Sequence, residues 1–161
     1  MGVSNLQSSP IPLAYARIDY APGTNITINN TAWTAVSGTA LDLTVPAAVG
    51  DLIEYAPNFG LENQAVYVYF DALSVNSGKY LSSGTTTADA LGQLGWRTIA
   101  SSYDRVSGNV FRKLTSDDIS AGAVTVRLMF RSDTATSRVI YAGNPAGAVL
   151  RLALINHGQA A

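Results

Sequence analysis

Few side chains in this sequence have the chemistry of a catalyst or a metal ligand, and they stand far apart. His157 is the only histidine, and it follows the last predicted strand. A catalytic triad or a histidine metal cluster within one chain is therefore not expected. A trimer would bring three copies of His157 together on an axis, but no neighbouring feature marks a metal ligand. We therefore favour an exposed histidine at this position.

The carboxylates are equally dispersed. Asp117 and Asp118 are the only two that are adjacent in sequence, and on a strand they would point to opposite faces, which does not suit a shared proton or metal. We predict instead that they cap the turn before Ile119. The sequence has no nucleophile-elbow serine, no glycine loop for phosphate and no acids at a spacing that favours glycoside hydrolysis. We predict that the protein is not an enzyme and has no metal or cofactor.

Charged residues make up only 13% of the chain, whereas apolar residues make up 47%. The charged share in an ordinary globular protein is about a quarter. The formal net charge is −1 and no run of lysine or arginine occurs, so we do not expect the protein to bind nucleic acid. A surface with so few charges is typical of subunits that bury part of it against other copies. A monomeric sandwich with an uncharged surface is the alternative.

The sequence carries no recognisable signal for export or membrane insertion. Residues 1–9 have neither a basic start nor an apolar core, so we do not expect them to form a signal peptide. No apolar run approaches the roughly 20 residues of a membrane helix. Cysteine is absent, which excludes disulfides. We expect assembly in the cytoplasm of a host cell, without a membrane partner.

The stretch around which the fold is organised lies at 123–131. Its apolar residues, from Val124 to Phe130, fall on one side of an extended chain, and mostly polar residues fall on the other. This period of two predicts a strand, which needs neighbouring strands for its hydrogen bonds and a second layer over its apolar face.

Further strands are predicted where apolar alternation recurs between turn signals, at 13–20, 25–28, 32–36, 41–45, 52–56, 66–75, 96–102, 108–114, 138–142 and 149–156. Residues 57–60 are predicted to form a loop, 88–94 one helical turn and 115–118 a turn or a brief cap. About nine or ten strands at this spacing predict an all-β protein, a two-sheet antiparallel sandwich. A polar arm at 1–12 precedes a single domain at 13–161.

Two predicted strands are apolar on both faces, as expected for strands covered by the core on one side and by another subunit on the other. In 66–75, two tyrosines alternate with valines and a phenylalanine; in 149–156, three leucines lie opposite Val149, Ala153 and Ile155. The candidate interface residues are therefore Tyr67, Tyr69, Leu150, Leu152 and Leu154. For the two tyrosines, an exposed position without a partner is an equal alternative.

The segments at 49–55, 110–114, 118–131, 138–142 and 150–152 together resemble the small virion domains of tailed phages. The similarity is one of pattern over residues 13 to 156 and includes no signature motif. Those domains occur as capsid decoration proteins and at the ends of tail fibres. They are jelly rolls similar to the tumour-necrosis-factor fold and usually form trimers. The resemblance implies a jelly roll whose sheet faces pack around a three-fold axis.

Two functions follow from this resemblance. The first is a homotrimeric decoration (minor capsid) protein that binds the major capsid protein and stabilises the outer capsid shell, with residues 1–12 helping to anchor it. The second is a tail or fibre-tip domain that recognises a host surface glycan or protein through its loops, especially 76–95. Trp33, Trp96 and Tyr103 would suit such contacts but are equally consistent with core filling. Both functions place the protein in the virion.

Overall fold

The computed structural model describes residues 13–63, 67–88, 96–97, 102–142 and 148–159. The predicted arm at 1–12 lies outside the described residues, and so does the predicted helical turn at 88–94 apart from its first residue.

Thirteen strands and one short 3-10 helix make up the regular structure of the described residues. The strands are β1 Ala14–Tyr20, β2 Ile26–Ile28, β3 Thr34–Ala35, β4 Leu43–Pro46, β5 Asp51–Asn63, β6 Tyr67–Ser74, β7 Lys79–Tyr80, β8 Trp96–Arg97, β9 Ser102–Ser107, β10 Val110–Lys113, β11 Ala123–Ser132, β12 Arg138–Tyr141 and β13 Leu150–Gln159. The 3-10 helix spans Ser116–Asp118, where the sequence predicts a turn or a brief cap.

The strands form two sheets. Sheet A has the order β1-β13-β5-β12-β2, with β9 and β10 also paired to β5. Sheet B has the order β3-β11-β6-β7, with β4 also paired to β11 and β8 to β6. All of these pairings are antiparallel. The predicted all-β, two-sheet antiparallel sandwich is confirmed.

Strand β5 is the central strand of sheet A, because it pairs with two shorter strands along each of its two sides. β13 and β12 follow one another along one side, and β10 and β9 along the other. The prediction of a loop at 57–60 is wrong, since these residues continue the strand. Proline disrupts a central strand because it cannot donate to the ladder. Neither β9 nor β10 pairs with Pro57, which lies where the partner changes from one to the other.

Several predicted boundaries differ from the structure. The single strand predicted at 96–102 corresponds to β8 and to the start of β9, which runs on to Ser107 through residues for which no strand is predicted. Strand β7 lies between the strands predicted at 66–75 and 96–102, where the sequence predicts no strand. Strands β7 and β9 contain mainly polar residues. Their strand structure therefore follows from pairing, of β9 with β5 and of β7 with β6, rather than from an apolar pattern.

The core lies between the two sheets. All four apolar residues on one side of β11, from Val124 to Phe130, are buried, as the alternation predicts. Phe59 of sheet A and Phe70 of sheet B meet edge to face, with ring centroids 5.1 Å apart at 68°. Such a contact joins the two layers directly, because the inner faces of packed sheets interdigitate.

Strand β13 is oriented differently from the sequence prediction. Leu150, Leu152 and Leu154 are completely buried in the core of the subunit. They cannot contact another copy, so their assignment to an interface is wrong. Ala153 and Ile155, which alternate with the leucines, face outwards and are half-buried, and Arg151 on the same face is exposed. This face is the outer one because the guanidinium of Arg151 stays hydrated there, while the leucines remove their apolar area from water on the inner face.

A buried polar network closes one end of the sandwich. The side-chain amide of Asn156, on β13, donates to the carbonyl oxygen of Pro46 at 2.9 Å and to Asp51 Oδ2 at 2.8 Å. Asp51 Oδ2 also accepts from the backbone N–H of Ala48 at 2.9 Å. The network links sheet A to β4 of sheet B and gives these buried polar groups partners, which avoids the cost of leaving them unpaired.

Candidate assembly surface

The outer face of sheet A carries large apolar side chains in contact with solvent. Leu13, Tyr15 and Phe111 are 71%, 56% and 51% exposed. The register places Tyr15 opposite Ile155, Ile155 opposite Glu54, and Glu54 opposite Phe111, so these side chains form one row across four strands. We call the surface formed by Leu13, Tyr15, Phe111 and Ile155 the apolar end of sheet A.

A half-buried contact between a histidine and a carboxylate lies within the apolar end. His157 Nε2 is 2.8 Å from Glu54 Oε2, and the other carboxylate oxygen accepts from the side chain of Asn109. The rings of His157 and Phe111 have centroids 6.3 Å apart. The prediction of an exposed histidine beyond the last strand is therefore wrong. His157 continues the outward alternation of β13, a signal that the sequence contains.

A trough runs along the middle of sheet A beside the apolar end. Its floor includes Ala56 on β5 and Ala153 on β13, whose side chains are too short to fill the space. Tyr15 and Arg17 of β1 form one wall, and residues 107–109, between β9 and β10, form the other. The depression has a volume of about 330 Å³.

The far end of the trough is lined by arginines. A smaller, adjoining depression of about 150 Å³ shares Asn58 and Arg151 with the first and extends to Arg105. Arg105 Nε donates to Asn58 Oδ1 at 2.8 Å. We call the region of Arg17, Arg105, Arg151, Asn58 and Ser107 the basic end of the trough.

Tyr67 and Tyr69 lie on the outer face of sheet B, and the core residues Val68 and Phe70 alternate with them. The two tyrosine rings stack with centroids 5.9 Å apart, and the Arg131 guanidinium lies 4.5 Å from the centre of the Tyr69 ring. Tyr69 is only 8% exposed and Tyr67 is 39% exposed. Burial raises the pKa of the Tyr69 hydroxyl. Their role in an interface remains a prediction, and Tyr67 offers more surface for it.

Trp33 packs on the same outer face, against the ring of Tyr80 at a centroid distance of 5.5 Å. It borders a small second apolar cluster that contains Tyr80, Ala88 and Met129. Packing within this outer cluster, rather than in the core between the sheets, is therefore the role of Trp33. The side chains of Trp96 and Tyr103, the other two aromatic candidates, lie outside the described part of the structure.

The two adjacent carboxylates have different environments. Asp118 Oδ2 accepts from the backbone N–H of Thr115 at 2.9 Å and from its hydroxyl at 2.8 Å, so the predicted capping role is confirmed for this residue. Asp118 is also paired with the buried Arg112 at 3.2 Å. Asp117 points outwards and pairs with Lys79 at 2.9 Å. The two carboxylates do not share a site.

Within the described ranges, no three side chains of the metal-ligating types lie close enough together to hold a metal ion. The described part of the chain contains no helix with the length and apolarity to span a membrane.

Comparison with protein-family models and with curated proteins finds no match. Among solved structures, the chain is similar to the structure of infectious bursal disease virus, Gx strain, at 10% identity and a TM-score of 0.48, covering 97% of this chain and 45% of that one. It is also similar to the T=1 particles derived from infectious bursal virus, at 8% identity and a TM-score of 0.43, covering 89% of this chain and 36% of that one. The chain thus spans less than half of the length of these proteins. At this level of similarity we draw no conclusion about family or function from them.

Proposed function

We propose that this chain is a structural virion protein of a tailed phage, a jelly-roll homotrimer that binds the major capsid protein and decorates the outer shell. The observation that supports the proposal best is the apolar end of sheet A. Three large apolar side chains stand more than half exposed on one face, in a chain with only 13% charged residues. Exposed apolar patches of this kind mark sites of protein contact.

The apolar end would form only part of such a contact. Four strands about 4.8 Å apart, over about three residues of about 3.4 Å rise, span roughly 14 by 10 Å before the side chains are added. This is less than the roughly 800 Å² per partner of a standard interface, so the proposed contact includes surface beyond the apolar end. In the proposed trimer, this surface takes the place of the leucines of β13 as the contact between subunits.

Phe111 is the best single residue with which to test the contact. Truncation of a central aromatic side chain in an interface costs about 2 kcal/mol or more, which weakens association roughly 25-fold. We expect Phe111→Ser to lower both the oligomeric mass and the amount of protein that sediments with undecorated capsids. Val75→Ser is the matched control, since Val75 is also an exposed apolar residue but follows β6 of sheet B. Equal effects of the two substitutions would argue against the apolar end as the contact.

A second candidate function is a tail or fibre-tip domain that recognises a host surface glycan or protein. The basic end of the trough favours it, because three arginines around a concave surface suit an anionic ligand. Sedimentation of the protein with host cells, but not with capsids, would select this function over the first. Neither function includes catalysis, and hydrolysis of a glycan by the pure protein would contradict both.

A further inference from the structure

The basic end of the trough has an excess of positive charge. Of the residues that line the two depressions, three are arginines and none is acidic. Asp19 is the nearby carboxylate: it accepts from Arg17 Nε at 3.0 Å and from Arg17 Nη2 at 2.8 Å, and lies 3.4 Å from Arg151 Nε. A single carboxylate, that of Asp19, therefore neutralises the charge of two arginines only in part. The third, Arg105, contacts only the neutral Asn58 among the described residues.

Arg105 and Arg151 keep donors available for a ligand. Their contacts with other described residues use only the Nε atoms. No described residue occupies the terminal nitrogens of either guanidinium, which can bind an anion with two parallel hydrogen bonds. A carboxylate matches this fork in shape and charge, and such charge-assisted pairs are about twice as strong as neutral hydrogen bonds.

The form of the trough favours a sugar acid over an acidic peptide. Peptides that bind sheets usually add a strand at an open edge, but β5 and β13 at the floor are paired on both sides. The floor offers the small side chains of Ala56 and Ala153, over which a ring can lie.

We propose that the basic end of the trough binds a carboxylated sugar, such as a uronic or sialic acid residue of an acidic glycan. Arg105 and Arg151 hold the carboxylate, Asn58 and Ser107 face the sugar hydroxyls, and the ring lies over Ala56 and Ala153. The proposal names a ligand class for the second candidate function and rests on that function for its biological role. Binding itself is a property of the isolated protein and is measured without capsids or cells.

Isothermal titration calorimetry with two probes, trigalacturonate and 3′-sialyllactose, tests the proposal. The neutral counterparts are the methyl ester of trigalacturonate and lactose, which retain the sugar rings but lack the charge. We expect at least one acidic probe to bind at least about tenfold more tightly than its neutral counterpart, because loss of the charge removes a bidentate pair with arginine. Arg105→Gln and Arg151→Gln should each weaken that binding by about tenfold.

Lys113→Gln is the matched control, because it removes one positive charge from the opposite end of the same sheet face. Its affinity should stay within about twofold of the wild type. The proposal is overturned if neither acidic probe binds, if the neutral counterparts bind equally well, or if Lys113→Gln weakens binding as much as the arginine variants do. Equal or tighter binding of a hexaglutamate peptide would instead assign the trough to acidic proteins.

Failure of this proposal can be distinguished from failure of the assembly proposal. The arginine variants are expected to retain the oligomeric mass of the wild type, since the apolar end is intact in them. Loss of glycan binding with unchanged mass supports the trough as a separate site. A simultaneous loss of mass would place these arginines in the contact between subunits and contradict the glycan site.

Discussion

Replacing Asp118 by asparagine removes one negative charge from a side chain that the protein encloses completely. The carboxylate accepts hydrogen bonds from the hydroxyl of Ser77 at 2.6 Å and from Thr115, and it neutralises Arg112, whose side chain is also buried. In Asp118→Asn the shape of the side chain is retained. The guanidinium of Arg112 is left without its counter-charge, and the amide nitrogen of the new side chain faces hydrogen-bond donors.

The expected cost is large because the pair is buried. Removing one partner of a buried ion pair typically costs about 3–5 kcal/mol. The free energy of unfolding of a domain is about 5–15 kcal/mol, so the variant should lose a large share of its stability. At roughly 2–4 °C per kcal/mol for a chain of this size, the midpoint of thermal unfolding should fall by about 10 °C.

The same carboxylate predicts a dependence of stability on pH. Burial acts to raise the pKa of Asp118, but hydrogen bonds from Ser77 and Thr115 outweigh that effect and hold the pKa well below its ordinary value. A carboxyl group whose pKa is lower in the folded state stabilises the protein above its unfolded pKa of about 3.9. This stabilisation is lost as the pH falls towards the folded pKa. The difference in stability between the wild type and Asp118→Asn should therefore shrink below about pH 4.

Urea unfolding followed by tryptophan fluorescence, at pH 7 and at pH 3 and at equal protein concentration, measures both effects. Asp117→Asn is the matched control, because the neighbouring carboxylate pairs with Lys79 at the surface, where ion pairs contribute little. If Asp118→Asn is no less stable than Asp117→Asn at pH 7, or if its deficit is the same at both pH values, the account of the buried pair is refuted.

Two further predictions concern stability. Gly158 has a φ of +78°, and a Cβ added there would lie 2.8 Å from Leu13 Cδ1, so Gly158→Ala should destabilise the protein by about 1–2 kcal/mol. Gly122→Ala, with a φ of +74° and nothing within 4 Å of the added Cβ, should cost less in the same urea titration; equal costs would contradict the steric part of this explanation. Leu152→Ala should lower the free energy of unfolding by about 2–5 kcal/mol without altering the oligomeric mass of the folded protein. A change in oligomeric mass with unaltered free energy of unfolding would instead indicate that Leu152 lies in a contact between subunits.

The sheets and the core could be predicted where one face of a strand is clearly apolar. Strand β11 is the best example, since only one of its faces carries arginines. In β13, Arg151 and His157 lie on the same face as Ala153 and Ile155 and mark it as the outer one. The interface prediction for the three leucines considered the apolar residues on both faces and overlooked this signal; the leucines are buried and Ala153 and Ile155 lie outside.

The candidate surface was harder to predict than the fold. In β10, one face carries Phe111 and Lys113 and the other carries Val110 and Arg112, so each face has one apolar and one basic residue. Arg112 faces inwards because Asp118, six residues later in the 3-10 helix that follows β10, is available to neutralise it. Phe111 is consequently exposed. Pairing between a strand residue and the turn that follows leaves no signal in the alternation of the strand, whereas the outward position of His157 follows the alternation of β13.

The mass of the wild-type protein in solution, measured by light scattering over a range of concentrations, is the most direct test of the assembly proposal. The proposal predicts a species of three times the subunit mass of 16.9 kDa, which dissociates at higher concentrations in Phe111→Ser than in the wild type or Val75→Ser. A wild-type protein that stays at the mass of one subunit up to the highest concentration would contradict the proposal.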